Sequence, residues 1–323
     1  MSASGAASVL IQASPFYLLA GVVLVRARTL AREKRPVPAY RLALVAAGVA
    51  VGIAADLPPI GTRSDERLSI HMIQHMLIGD VAAFLIAIGM TGPMLRPVLT
   101  APGVRHLRFL AHPLVAVPVW VLVYYGWHVP ALYDAAVRYD VVHALEHATM
   151  FGAGLALWIG LLGPLPKPAW FGNAAGLAYV IVVRMAGAVI ANVLLWSSTP
   201  YYDVYTGVPG VDAAEDQSLA GAIWMIEGSV VTIGVLGWLF VRWMSQGEEA
   251  QALVEDAARR GIDLDPARAR RAVAAGSGGR LRRRLEHGPG EQDQPDEHGD
   301  HDDDVDEKAE RLRLGAEGVD HSR

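Results

Sequence analysis

The sequence predicts an all-α fold, a polytopic membrane helix bundle of about seven transmembrane helices, with the N-terminus outside and the C-terminus cytoplasmic. Three observations predict it. The 323-residue chain is 52% hydrophobic and only 19% charged, the balance of an integral membrane protein with a soluble extension. Charge gathers at the end: the segment from Ser245 carries 20 acidic and 13 basic residues, leaving 13 acidic and 15 basic before it. Apolar runs of about 20 residues, the length that crosses a bilayer, recur between turn-rich or basic segments.

In order, the spans are expected at Ala7–Val25, Arg41–Leu57, Ile70–Leu95, Pro113–Trp127, Val142–Leu162, Gly172–Trp196 and Leu219–Trp243. The fourth is short and contains Pro118, which neighbouring helices can accommodate by satisfying the freed carbonyl. Met1 to Leu10 lacks a basic stretch and reads as the lead-in to the first span. Orientation follows from Lys and Arg. Arg26, Arg28, Arg32, Lys34, Arg35 and Arg41 crowd the first loop, Arg96, Arg105 and Arg108 the third, and Lys167 the fifth. The alternate loops hold fewer, Arg63, Arg67 and Arg138.

Three regions follow: a transmembrane domain over 1–244, a cytoplasmic charged helical segment over 245–285, and a disordered acidic, His-containing tail over 286–323. The net charge of −5 is a property of the tail, so composition gives no reason to expect nucleic acid as a partner; the expected surroundings are the lipid bilayer. There is no cysteine, which excludes disulfides, thiolate metal sites and cysteine nucleophiles and leaves His, Met, carboxylate or backbone for any metal.

The histidines point to a site. His71 and His75 open the third span four residues apart, His128 closes the fourth, and His143 and His147 open the fifth, again four apart. That spacing stacks each pair on one helix face, and all five fall at one membrane interface. Ionisable groups at such depth are expensive and tend to be functional. Met72 and Met76 lie on the third span about 100° round from its histidines, and Glu146 and Met150 share the face of His143 and His147. Imidazole with thioether suits copper, and Glu146 is placed to orient an imidazole. Asp216 starts the seventh span on the same side, as a helix N-cap or as part of the ligand shell. A deeper group, Asp80, Arg184 and Glu227, falls near the middle of three spans. An ion-paired structural network is its first reading, and a polar path for an ion or proton the second.

The stretches His71-Met-Ile-Gln-His75, Gly92-Pro93, Trp127-His128-Val-Pro130, Leu132-Tyr133-Asp134, His143-Ala-Leu-Glu-His147 and Asp216-Gln217-Ser-Leu-Ala-Gly221 together resemble the CtaG family of cytochrome c oxidase assembly proteins, over roughly 15 to 244. The resemblance implies a bacterial plasma-membrane protein that helps make an active haem-copper oxidase, with oxidase subunits as partners and the five histidines as candidate metal ligands. The chain has Ile226-Glu227-Gly228 where the family pattern leads one to expect an apolar residue, Pro and Gly. The expected function is a copper-binding assembly factor without catalytic turnover. The alternatives are a haem b-binding electron carrier and a copper- or proton-coupled transporter. With no phosphate-binding loop of the Walker type and no G-x-S-x-G elbow, there is no case for a hydrolase.

Overall fold

The computed structural model describes residues 9–102, 105–165, 167–168, 170–274 and 276–287; the expectation for the acidic tail from 288 onward lies outside them. Every regular element among the described residues is helical: α1 Ser14–Arg32, α2 Ala39–Asp56, α3 Leu68–Gly89, α4 Gly92–Thr100, α5 Pro113–Trp127, α6 Pro130–Arg138, α7 Asp140–Leu162, α8 Asn173–Trp196, α9 Ala213–Arg259, α10 Pro266–Ala274 and α11 Gly278–His287, with short turns between them. Six helices are long and apolar enough to cross a membrane, and a seventh span results if the bent pair α5 and α6 counts as one.

The boundaries differ from expectation where local chemistry intervenes. α1 starts at Ser14, with Pro15 in its first turn, where proline's missing N–H costs nothing. It runs on to Arg32, because a basic last turn complements the helix dipole. The third span does not reach Leu95. Met90 turns to an extended conformation, and the separate α4 begins at Gly92-Pro93. Pro118 sits inside α5 without ending it. The break comes at Val129, held extended at φ −67°, ψ 124°, because a following proline disfavours the helical region; α6 leaves at 72° to α5.

α3 and α7 form the centre of the bundle. In each, 61% of the apolar window is buried, against 17–33% for the other spans that qualify singly. Their contact is close because both lack a side chain where they meet: a Cβ on Gly154 would lie 1.9 Å from the carbonyl oxygen of Gly79. Gly48 of α2 does the same against the Ala82 carbonyl. Membrane helices pack by this approach of backbones, since lipid supplies no hydrophobic drive to bring them together. Within α3, Leu77–Ala82 is wound as a π-turn. The outward residues of α8, among them Val182, Met185 and Val189, are more than half exposed, as lipid-facing side chains are.

The chain divides into two compact units at residues 241/242. The second has its own small core from Ala250, Leu253 and Ala257 of α9, Ala269 and Val273 of α10 and Leu285 of α11.

Candidate metal centre

The i,i+4 spacing places His71 and His75 on one face of α3, and His143 and His147, with Glu146, on one face of α7. Close packing of these two helices brings the faces together. The rings of His71 and His143 stack with centroids 4.9 Å apart, and those of His75 and His147 meet edge-on at 5.5 Å. Ligand atoms of His71, His143, Glu146 and His147 all lie within 4.8 Å of one another. His75 joins through Nε2, 2.9 Å from His71 Nε2 and 3.5 Å from Glu146 Oε1. The other Glu146 oxygen, Oε2, stands 3.5 Å from His71 Nε2. All five are buried, with His71 and Glu146 fully so.

His128 sits at the margin, its ring centroid 6.4 Å from that of His75. Met72, Met76 and Met150 lie in the apolar core of the unit. Asp216 neither caps its own helix nor enters the histidine group. It reaches across to the start of α3, accepting hydrogen bonds from Ser69 Oγ at 2.5 Å and Ser69 N at 3.2 Å, a negative charge at a helix N-terminus.

The outward edges of the rings are held by residues that the sequence pattern did not single out. His71 Nδ1 faces the Tyr205 hydroxyl at 3.1 Å, and that hydroxyl donates onward to the Ser64 carbonyl at 3.0 Å. A hydroxyl has one proton to give, so in this relay His71 carries its proton on Nδ1 and keeps a lone pair on Nε2. His147 Nδ1 lies 3.1 Å from Asp56 Oδ1, which Gln74 Nε2 also holds at 3.1 Å. His128 Nδ1 lies 2.7 Å from the Tyr124 carbonyl, which can only accept. His143 Nδ1 faces the Gln12 amide at 3.1 Å, and an amide presents either a donor or an acceptor according to which way it is turned. Three histidines, His71, His128 and His143, thus have Nδ1 hydrogen-bonded by an outer group, while His147 Nδ1 stands at ion-pair distance from Asp56 without closing a hydrogen bond. Nε2 of His128 and of His143, together with His147 Nε2 and both oxygens of Glu146, are buried without a hydrogen-bond partner.

Unpartnered polar atoms so deep in a protein are costly, and those of His143, His147 and Glu146 belong to the close group that a metal ion would satisfy. An outer group that fixes the tautomer and orientation of a ligating imidazole is the usual companion of such a site. Imidazole and carboxylate, with no thiolate available, make a nitrogen and oxygen donor set.

Aromatic side chains cover the centre. Tyr133 of α6 lies against His71 at 5.0 Å and stacks on Tyr202 at 4.1 Å. Tyr202 donates to the His128 carbonyl at 3.2 Å, and the backbone N–H of Val204 donates to Asp134 at 3.4 Å. Tyr202 and Tyr205 lie outside the spans, and burial pushes both phenols above their ordinary pKa, so they remain hydroxyl donors.

The deep trio does not form the expected ion-paired network. Among the described residues no ion pair joins Arg184 to Asp80 or Glu227. Arg184 Nη2 donates instead to the Met225 carbonyl at 2.9 Å and to Ser229 Oγ at 3.0 Å. All three line one cavity.

The family model described as cytochrome c oxidase caa3 assembly factor matches residues 16–246, a stretch containing every residue of the histidine centre apart from Gln12, which touches it from outside. No curated protein and no solved structure matches the chain. The match covers well over half of the sequence and all six single spans except the first residues of α1 and the end of α9. The chain belongs to the cytochrome c oxidase caa3 assembly factor family and is a multi-pass membrane protein that serves oxidase assembly.

Proposed function

We propose that the protein binds one copper ion through His71, His143, His147 and Glu146, with His75 as an exchanging ligand, and passes it to the subunits of a haem-copper oxidase. The reading places this centre at the extracytoplasmic face of the bacterial plasma membrane, where the loop charges put it. No catalytic turnover is needed: transfer runs by exchange of one ligand at a time. The observation that carries the reading is that His143 Nε2, His147 Nε2 and both Glu146 oxygens are buried and unpartnered in a group whose ligand atoms lie within 4.8 Å of one another. A nitrogen and oxygen site binds Cu(II) more tightly than the other divalent first-row metals, and an oxidase of the haem-copper class requires copper. Met72, Met76 and Met150 remain candidates for the softer Cu(I) state only if they leave the apolar core.

A haem b reading is less favoured by ring spacing. His71 Nε2 and His75 Nε2 are 2.9 Å apart, and the His71 and His143 rings are in stacking contact, which leaves no slot for a macrocycle between them. Metal analysis and an optical spectrum of the detergent-purified full chain test both. Copper bound in the wild type and lost from the His71→Ala, His147→Ala double variant is the expected result. An unchanged copper content in that variant overturns the site, and a Soret band replaces copper with haem.

A further inference from the structure

Deeper in the first unit lies a second polar place that the metal centre does not use. A cavity of about 60 Å³ is lined by Asp80 of α3, Trp158 of α7, Arg184 of α8, and Trp224 and Glu227 of α9. Trp224 divides it from the histidines: one side of the indole lies against His128 at 5.1 Å, while the same residue lines the cavity. Asp80 sits within the π-turn Leu77–Ala82. Such turns are rare and occur inside helices mostly at functional positions.

The polar atoms here are not satisfied by protein. Glu227 Oε1 and the Trp158 indole nitrogen are buried without a hydrogen-bond partner. Trp158 is itself 95% buried, being 5% exposed, and its indole stands beside Asp80 without closing a hydrogen bond of good geometry. The Arg184 guanidinium is turned to Met225 and Ser229, with room made for it by Gly228, where a Cβ would come within 2.5 Å of Nη1. Polar atoms facing a space of this size, with no hydrogen bond of good geometry between them, are the arrangement that bound water bridges.

Charge points the same way. The charged and titratable groups lining the space are Asp80 from α3, Tyr179 and Arg184 from α8 and Glu227 from α9; α7 contributes Trp158, which does not titrate, and Tyr124 of α5 lies outside the lining with its hydroxyl against Gly79. Tyr179 is already committed to the Leu157 carbonyl at 3.1 Å. Two carboxyl groups against one guanidinium leave one negative charge in the middle of a bilayer, and a single proton cancels it.

We propose that this cavity is a hydrated proton site, in which Asp80 and Glu227 share one exchangeable proton through bound water. Its ligands are water and a proton. Transfer between the carboxyls conserves charge: the O–H of one breaks toward water, and that water gives a proton to the other and is regenerated. Arg184 holds the net charge near zero throughout. The site is separate from the metal centre in residues and in ligand chemistry, and it does not rest on copper binding.

Infrared spectroscopy of the full chain in lipid nanodiscs tests it. The wild type at neutral pH is expected to show the C=O stretch of a protonated carboxyl group, and the band is expected to shift in D₂O. It should disappear in the Asp80→Asn, Glu227→Gln double variant, while copper content matches that of the wild type. A wild type without the band, a band that ignores D₂O, or one that persists in the double variant overturns the proposal. Hydroxyl-radical labelling of the wild type needs no variant: oxidation of the buried Trp158 is expected from adjacent water, and complete protection of that residue overturns hydration. If copper is absent from every preparation, the metal reading fails while the infrared result still stands.

Discussion

At the scale of single residues, the centre depends as much on what stands behind the imidazoles as on the imidazoles. Asp56 is the clearest case. It ends α2, is almost fully buried, and lies 3.1 Å from His147 Nδ1. Asp56→Asn keeps the shape and removes the charge, and loss of such an outer partner weakens a metal site by roughly 10–100-fold. A copper competition titration on the purified variant is expected to show a loss in that range; an unchanged affinity would mean that Asp56 does not orient the ligand. The histidines were legible in the sequence because an i,i+4 spacing on an apolar run carries its own geometry. Gln12, Asp56 and Tyr205 were not. Gln12 is 131 positions from His143 and Tyr205 is 134 from His71, and no local period connects such pairs. Asp56 did leave a trace, a carboxylate closing an apolar run on the side where the histidines gather, but that signal is equally that of an ordinary span end.

At the scale of elements, α3 and α7 hold the two halves of the site, and glycine sets their separation. With the Gly79 carbonyl 1.9 Å from where a Cβ on Gly154 would be, Gly154→Val must push the helices apart or strain the π-turn. Overpacking of this kind costs about 1–3 kcal/mol. The variant should therefore melt earlier in detergent and lose copper as well, whereas Gly152→Val, where nothing lies within 4 Å, should leave both unchanged. An equal effect of the two substitutions would mean that the α3–α7 contact is not what spaces the ligands. Hydropathy located the spans well because bilayer thickness fixes their length. It misplaced the end of the third, since Gly92-Pro93 begins a new helix within a continuous apolar run, and it could not show the π-turn, which has no compositional signature. Pro118 drew attention to α5, yet the bend belongs to Pro130.

At the scale of the whole molecule, the proposed metal ligands and the aromatic cover come from one unit, Met1–Val241. Removing residues 288–323 is thus expected to leave copper content unaltered. Copper lost on that deletion would show that the acidic, histidine-bearing end supplies ligands of its own. The sequence showed the membrane class, because that is a matter of composition. The family relationship rested on spaced motifs. The cavity around Asp80, Arg184 and Glu227 was foreshadowed only as three charges at one depth, and composition cannot distinguish charges in contact from charges around a space.

The aromatic cover has a kinetic consequence. His71, His75, Glu146 and His147 are each no more than 3% exposed, beneath the stacked pair Tyr133 and Tyr202 and the hydroxyl of Tyr205. On the proposed reading, an ion among these side chains is screened from solvent and from an acceptor ligand while the rings are in place. Departure then proceeds at the rate at which the cover parts, and beyond some concentration an added chelator cannot hasten it. If the centre holds copper as proposed, its release is timed by the movement of these tyrosines.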